Sequence, residues 1–136
     1  MKTLLLIAAT CLCLCATSPA REQQQTTPPR PPAFADFWPK FQSAVAKNDR
    51  EAVAALVKFP LTMPYGVPAI KTKAQFNQRY AKIFDAATRK CFAAAHPERE
   101  NNKSTRYNVF CGEAMLYIFD LSGGAYKLVA IDNVNE

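Results

Sequence analysis

At 136 residues and 49% hydrophobic composition, the chain has room for one domain and enough apolar material to give it a core. The formal charge of +6, from 17 Lys and Arg against 11 Asp and Glu, falls by only one if Lys2 is removed. The basic residues lack the Gly and aromatic companions of a nucleic-acid module, so they are expected to form a solvated face with no nucleic-acid partner.

Residues 1–20, MKTLLLIAATCLCLCATSPA, have the layout of a secretory signal. Lys2 supplies the positive start, Leu4 to Ala16 the apolar run and Ser18-Pro19-Ala20 the small-residue end. The run is shorter than the ~20 apolar residues a bilayer span needs. The sequence therefore predicts an exported chain, periplasmic or secreted, with no transmembrane segment after cleavage. Leu14 stands before Cys15 where lipoprotein signals carry a small residue, which argues against a lipid anchor there. Residues 21–33, REQQQTTPPRPPA, are too polar and Pro-rich to bury a core and read as an extended, disordered linker.

A single domain is expected over 34–136. Phe34, Phe37, Trp38, Phe41 and Val45 recur near the helical period, with Asp36 placed to cap the first helix and Pro39 to fall in its first turn. Asn48 and Glu51 have capping-box spacing for a second helix, with Val53, Leu56 and Val57 as its buried stripe. Pro60 is expected to stop that helix, because it disfavours α geometry at Phe59. Pro64, Gly66 and Pro68 leave at best a short edge strand after it.

Thr72 is placed to cap a long third helix over 73–94. Phe76, Tyr80, Ile83, Phe84, Ala87 and Cys91 fall on one side of it, and Gln75, Gln78, Arg79, Lys82, Asp85 and Arg89 on the other. Arg79, Lys82 and Arg89 make that outer side basic. HPERENNKS is then a polar loop, and strands follow in TRYNVFC, AMLYIFD and AYKLVAID, with Gly123-Gly124 as a hairpin turn. The segment 114–119 is apolar on both faces, which suits a central strand and permits homodimerisation through an open sheet face.

This order gives an α+β fold: three N-terminal helices, the third long, packed on a small curved antiparallel sheet. The stretches FWPKFQSAVAKNDREAVAALVKFPL, IKTKAQFNQRYAKIF and YKLVAIDNV resemble the nuclear-transport-factor-2-like, ketosteroid-isomerase-like cone, in particular its small exported bacterial members without assigned activity. The resemblance implies an interior that is a pocket in some members. Trp38, Phe41, Tyr65, Tyr80, Phe84 and Tyr117 are the residues expected to line it here. It also implies a place for a catalytic carboxylate, on the extended segment after the second helix. FPLTMPYGVPAI contains no Asp, Glu or His there, and Tyr65, with an ordinary pKa of about 10, is a poor base. No catalytic residue carries over.

Other chemistry is equally thin. Once the leader is removed, the five cysteines reduce to Cys91 and Cys111, which are either two independent buried thiols or, as an oxidising compartment favours, a disulfide that would stabilise the fold by roughly 3 kcal/mol. Two Cys and the lone His96 lack the close spacing of a zinc site, so neither metal nor cofactor is expected. The sequence favours a non-enzymatic exported domain that binds a small apolar ligand or a protein partner. An isomerase- or hydrolase-type enzyme would instead need a buried carboxylate from Glu113, Asp120 or Asp132 facing the pocket. An envelope inhibitor or immunity-type protein would use the basic helix against an acidic partner.

Overall fold

The computed structural model describes residues 33–135. The predicted leader and nearly all of the predicted linker lie outside them. The described chain runs α1 (Phe34–Ala46), α2 (Arg50–Ala55), β1 (Val57–Thr62), α3 (Lys73–Ile83), α4 (Ala86–Ala94), β2 (Glu98–Arg99), β3 (Tyr107–Cys111), β4 (Met115–Ser122) and β5 (Ala125–Asn133). Strand order across the sheet is β1-β5-β4-β3-β2. The β2–β3, β3–β4 and β4–β5 pairs are antiparallel and β1–β5 is parallel, so the sheet is mixed where an antiparallel one was expected.

Helix α1 starts earlier than its capping pattern suggests. Phe34 lies in its first turn and stacks on Tyr107 with ring centroids 3.8 Å apart. Burying that ring draws residue 34 into the helix, so Ala33 takes the N-cap position without a side-chain bond. Asp36 sits in the first turn instead, where its charge complements the helix dipole, and Pro39 falls inside the helix. Phe37, Phe41, Ala44 and Val45 continue the buried stripe.

The second helix is capped one residue later and ends sooner than predicted. Asp49 accepts the Ala52 N–H at 3.0 Å, while Asn48 has φ 55°, in the left-handed region. Glu51 is drawn to α3, pairing with Lys73 at 2.6 Å and accepting from Asn77 at 2.6 Å. Past Ala55 the period changes from helical to alternating. Val57 and Leu61 are buried and Phe59 half-buried on one face of β1, so tertiary burial makes a strand of what was read as the end of a helix. Pro60, after a cis Phe59–Pro60 bond, is tolerated because β1 is at the sheet edge.

The expected long helix is two helices. Thr72 caps α3 as predicted, accepting the Gln75 N–H at 3.2 Å, but the helix ends at Ile83. Asp85 then accepts the Thr88 N–H at 2.8 Å and starts α4. Carbonyls left open by the break find new donors: the Tyr117 hydroxyl donates to Ile83 C=O at 3.1 Å and the Arg89 guanidinium to Phe84 C=O at 2.8 Å. The break resets the helical phase, so Phe92 is fully buried and Ala87 faces solvent, reversing the expected place of Ala87.

On the sheet, β4 is the middle strand, as its doubly apolar sequence suggests. Its hairpin to β5 turns on Gly123 and Gly124, whose φ of 61° and 79° suit the tight two-residue loop. The register jumps from Ile118↔Ala130 to Phe119↔Leu128, a bulge at Val129 that helps curve the sheet. The predicted polar loop holds the short strand β2, paired with β3. The four helices lie toward the face bearing Val109, Tyr117, Phe119, Leu128 and Ile131, and an aromatic core fills the space between. Phe41 sits at its centre, 4.9 Å from Phe119 and 5.8 Å from Phe92 between ring centroids. The Cys91–Cys111 disulfide, with Cα atoms 5.7 Å apart, ties α4 to the end of β3.

Candidate functional site

Where α3 breaks before α4, the helical layer leaves a recess of about 540 Å³ against the sheet. Its size falls within the range of small-molecule sites. Met115 and Tyr117 on β4 and Ile131 on β5 form its sheet side. Ile83 at the end of α3, and Met63 and Val67 in the segment after β1, add apolar walls. Arg79 and Lys82 lie on α3 at its edge, and Asp85 and Thr88 come from the start of α4. The segment carrying Met63 and Val67 is held by the Leu61–Ile70 backbone bridge and by a turn from Val67 N–H to Pro64 C=O. Arg79 reaches this segment at the Pro68 carbonyl, 3.5 Å away.

Protonation within the recess is restrained. Burial pushes the Tyr117 phenol up to about 12, so at neutral pH it is a fixed donor to Ile83 C=O. The Thr88 backbone N–H, followed by its side chain, holds the Asp85 carboxyl below its ordinary value. That carboxylate is fully exposed and committed to the start of α4. The recess therefore offers apolar surface, one neutral phenol, two cations and one anion engaged by a helix N-terminus.

The structure separates the side chains that the sequence grouped as pocket candidates. Tyr117 lines the recess. Phe41 and Phe84 are fully buried, Trp38 packs against the same core from a half-buried position, and Tyr80 lies in it on α3. Tyr65 is 90% exposed and does not line the recess. Of the basic trio, Arg79 and Lys82 border the recess, whereas Arg89 lines a separate notch with Arg50, Asn77 and Tyr80. Burial raises the Tyr80 phenol above its ordinary value. The carboxylates an enzyme would have called on lie elsewhere. Glu113 is exposed, and Asp120 and Asp132 line a second depression with Lys58 and Arg106 that adjoins the recess at Met63 and Ile131. Asp120 there accepts from Thr105 at 2.6 Å and pairs with Arg106 at 3.7 Å. His96 is exposed.

Sequence reasoning missed Met63, Ile83, Thr88, Met115 and Ile131 as lining residues because the recess exists only once the long helix is broken. One signal was present: Asp85 and Thr88 have the spacing of a helix N-cap within FDAATR. Among the described residues no group of His, Cys, Asp and Glu is arranged to hold a metal ion, and no helix is long and apolar enough to cross a membrane.

No family model and no curated protein matches the chain. Solved structures similar to it include a variant of a designed nuclear-transport-factor-2-like protein, 8% identical, covering 73% of this chain and 94% of that one with a TM-score of 0.48. Another is an LEH-like epoxide hydrolase of M. tuberculosis, 14% identical, covering 70% of this chain and 77% of that one with a TM-score of 0.35. Both are of the cone-fold type that the sequence resembles. At these identities and TM-scores neither likeness carries an argument about what this chain does.

Proposed function

We propose that the chain is an exported, non-enzymatic binding domain whose recess at the α3/α4 break holds a small apolar ligand. The observation that carries this reading is the recess of about 540 Å³ walled by Met63, Ile83, Met115, Tyr117 and Ile131, beside the aromatic core. Burying a ligand against such walls contributes roughly 25 cal/mol per Å² of apolar surface removed from water. The reading favours binding over catalysis because Tyr117 keeps its proton at neutral pH and Asp85 is a solvated cap, which leaves the recess without a tuned acid–base pair. Export belongs to the same proposal: the layout of residues 1–20 supports it, and the Cys91–Cys111 disulfide is compatible with an oxidising compartment.

The test is a fluorescence titration with N-phenyl-1-naphthylamine, a neutral apolar probe. Saturable one-site binding is expected in the native protein, and Met115→Trp should abolish it by filling the recess while circular dichroism shows the fold retained. Binding that the folded variant keeps undiminished would refute the assignment of the site.

A further inference from the structure

We infer that the ligand is a single-chain amphiphile with one acidic head, its chain in the recess and its head against Arg79 and Lys82. This rests on the binding role proposed for the recess and specifies the chemistry of its occupant.

The inference starts from where charge sits around the apolar walls. Arg79 and Lys82 are three residues apart on α3, which puts them side by side on one edge of a helix. Both border the recess. Among the described residues neither forms an ion pair, although the chain makes such pairs elsewhere, at Lys73–Glu51 and at Arg106 with Glu100 and Asp120. The guanidinium of Arg79 makes one long bond, 3.5 Å to Pro68 C=O, and most of its donors stay available.

Asp85 is the one anion lining the recess, and it does not cancel the pair. Its oxygen accepts the Thr88 N–H at 2.8 Å, so its charge offsets the positive end of α4. The three ionisable chains bordering the recess on the helical side are thus two uncommitted cations and one committed anion. The sheet side, Met115, Tyr117 and Ile131, contributes no charge while Tyr117 keeps its proton.

A neutral apolar ligand would fill the walls and leave both cations unmatched. A cationic amphiphile would set its head against them. An acidic head satisfies them, and Arg79 has the planar fork that holds an oxyanion by two parallel bonds. Val67, 43% exposed at the recess, is apolar surface that the upper part of a chain would cover.

The experiment compares octanoate, 1-octanol and octylammonium by calorimetric titration at neutral pH and low salt, against the native protein, Lys82→Gln, and Arg79→Gln/Lys82→Gln. The three probes share a chain and differ in head charge. Both substituted residues are exposed, and thermal melts verify that the variants fold. The inference predicts octanoate bound about tenfold more tightly than octanol, the effect of two solvent-exposed charge pairs, with octylammonium weakest. The preference should shrink with added salt, fall in Lys82→Gln and vanish in the double variant, with octanol affinity measured in each variant as the reference for any change in the apolar walls. Equal affinity for octanoate and octanol, or a preference that survives the double variant, overturns the acidic head and leaves the apolar site standing. Binding of none of the three overturns the site as well.

Discussion

Replacing Tyr117 with Phe isolates the contact that lets the helical layer break over the recess. The substitution keeps the ring packed against Phe92, 4.9 Å away between centroids, and removes only the hydroxyl that donates to Ile83 C=O at 3.1 Å. A hydrogen bond of this kind contributes about 1 kcal/mol net, and a carbonyl left buried without a partner costs about 1–3 kcal/mol. The adjoining recess admits water to replace the lost donor, so the lower end applies, about 1 kcal/mol at neutral pH. In a domain of this size that lowers Tm by roughly 4–8 °C. A second signature appears in alkali. Burial raises the Tyr117 phenol to about 12, above its ordinary value of 10. The stability tied to keeping it protonated is therefore fully present below the unfolded value and lost as pH rises from about 10 through about 12, on the order of 2–3 kcal/mol in all. Burial also raises Tyr80 and Tyr126, and their shared decline stays in both proteins. The assay is urea denaturation of native and Tyr117→Phe protein at steps from pH 7 to pH 11.5. The native protein should start more stable and lose its advantage above pH 10. A variant as stable as the native protein at pH 7, or one that declines as steeply in alkali, would refute the role given to this hydroxyl.

Cys91→Ser/Cys111→Ser should lower unfolding stability by about 3 kcal/mol in denaturant titrations, because the bridge closes a loop of sequence separation 20. Phe41→Ala, at a fully buried ring among Phe37, Phe84, Phe92 and Phe119, should cost about 3–5 kcal/mol, measured as the shift in denaturation midpoint. Asp85→Ala should destabilise α4 by freeing the Thr88 N–H, while Asp85→Asn keeps an acceptor and most of the effect, read by hydrogen exchange at Thr88. Since the Asp85 carboxyl titrates below its ordinary value, its contribution is present above the unfolded value and fades as pH falls through the folded one.

Elements whose residues answer to one local demand were legible in the sequence. Thr72 caps α3, Gly123-Gly124 turns the β4–β5 hairpin, β4 is central, and the aromatic stripe of α1 faces inward. Elements decided by distant partners were not. Residues 73–94 keep a helical period throughout, but the hydroxyl of distant Tyr117, joined by the nearby Arg89 guanidinium, stabilises a break that local propensity does not require. Val57 fits a helical stripe as well as a strand, and pairing with β5 beside Leu128 decides for the strand. Charge at Arg79 and Lys82 was visible as a basic face, but its place beside an apolar recess followed only from the break.

The most direct test of the binding reading is methyl nuclear magnetic resonance of the described domain titrated with 1-octanol. Saturable shifts at Val67, Ile83 and Met115, which line only the recess, with the core residues Leu61 and Leu128 unmoved, are the predicted result. Shifts that never saturate, or that fall on Ile118 and Val129 in the adjoining depression near Asp120 and spare Ile83 and Met115, would contradict it.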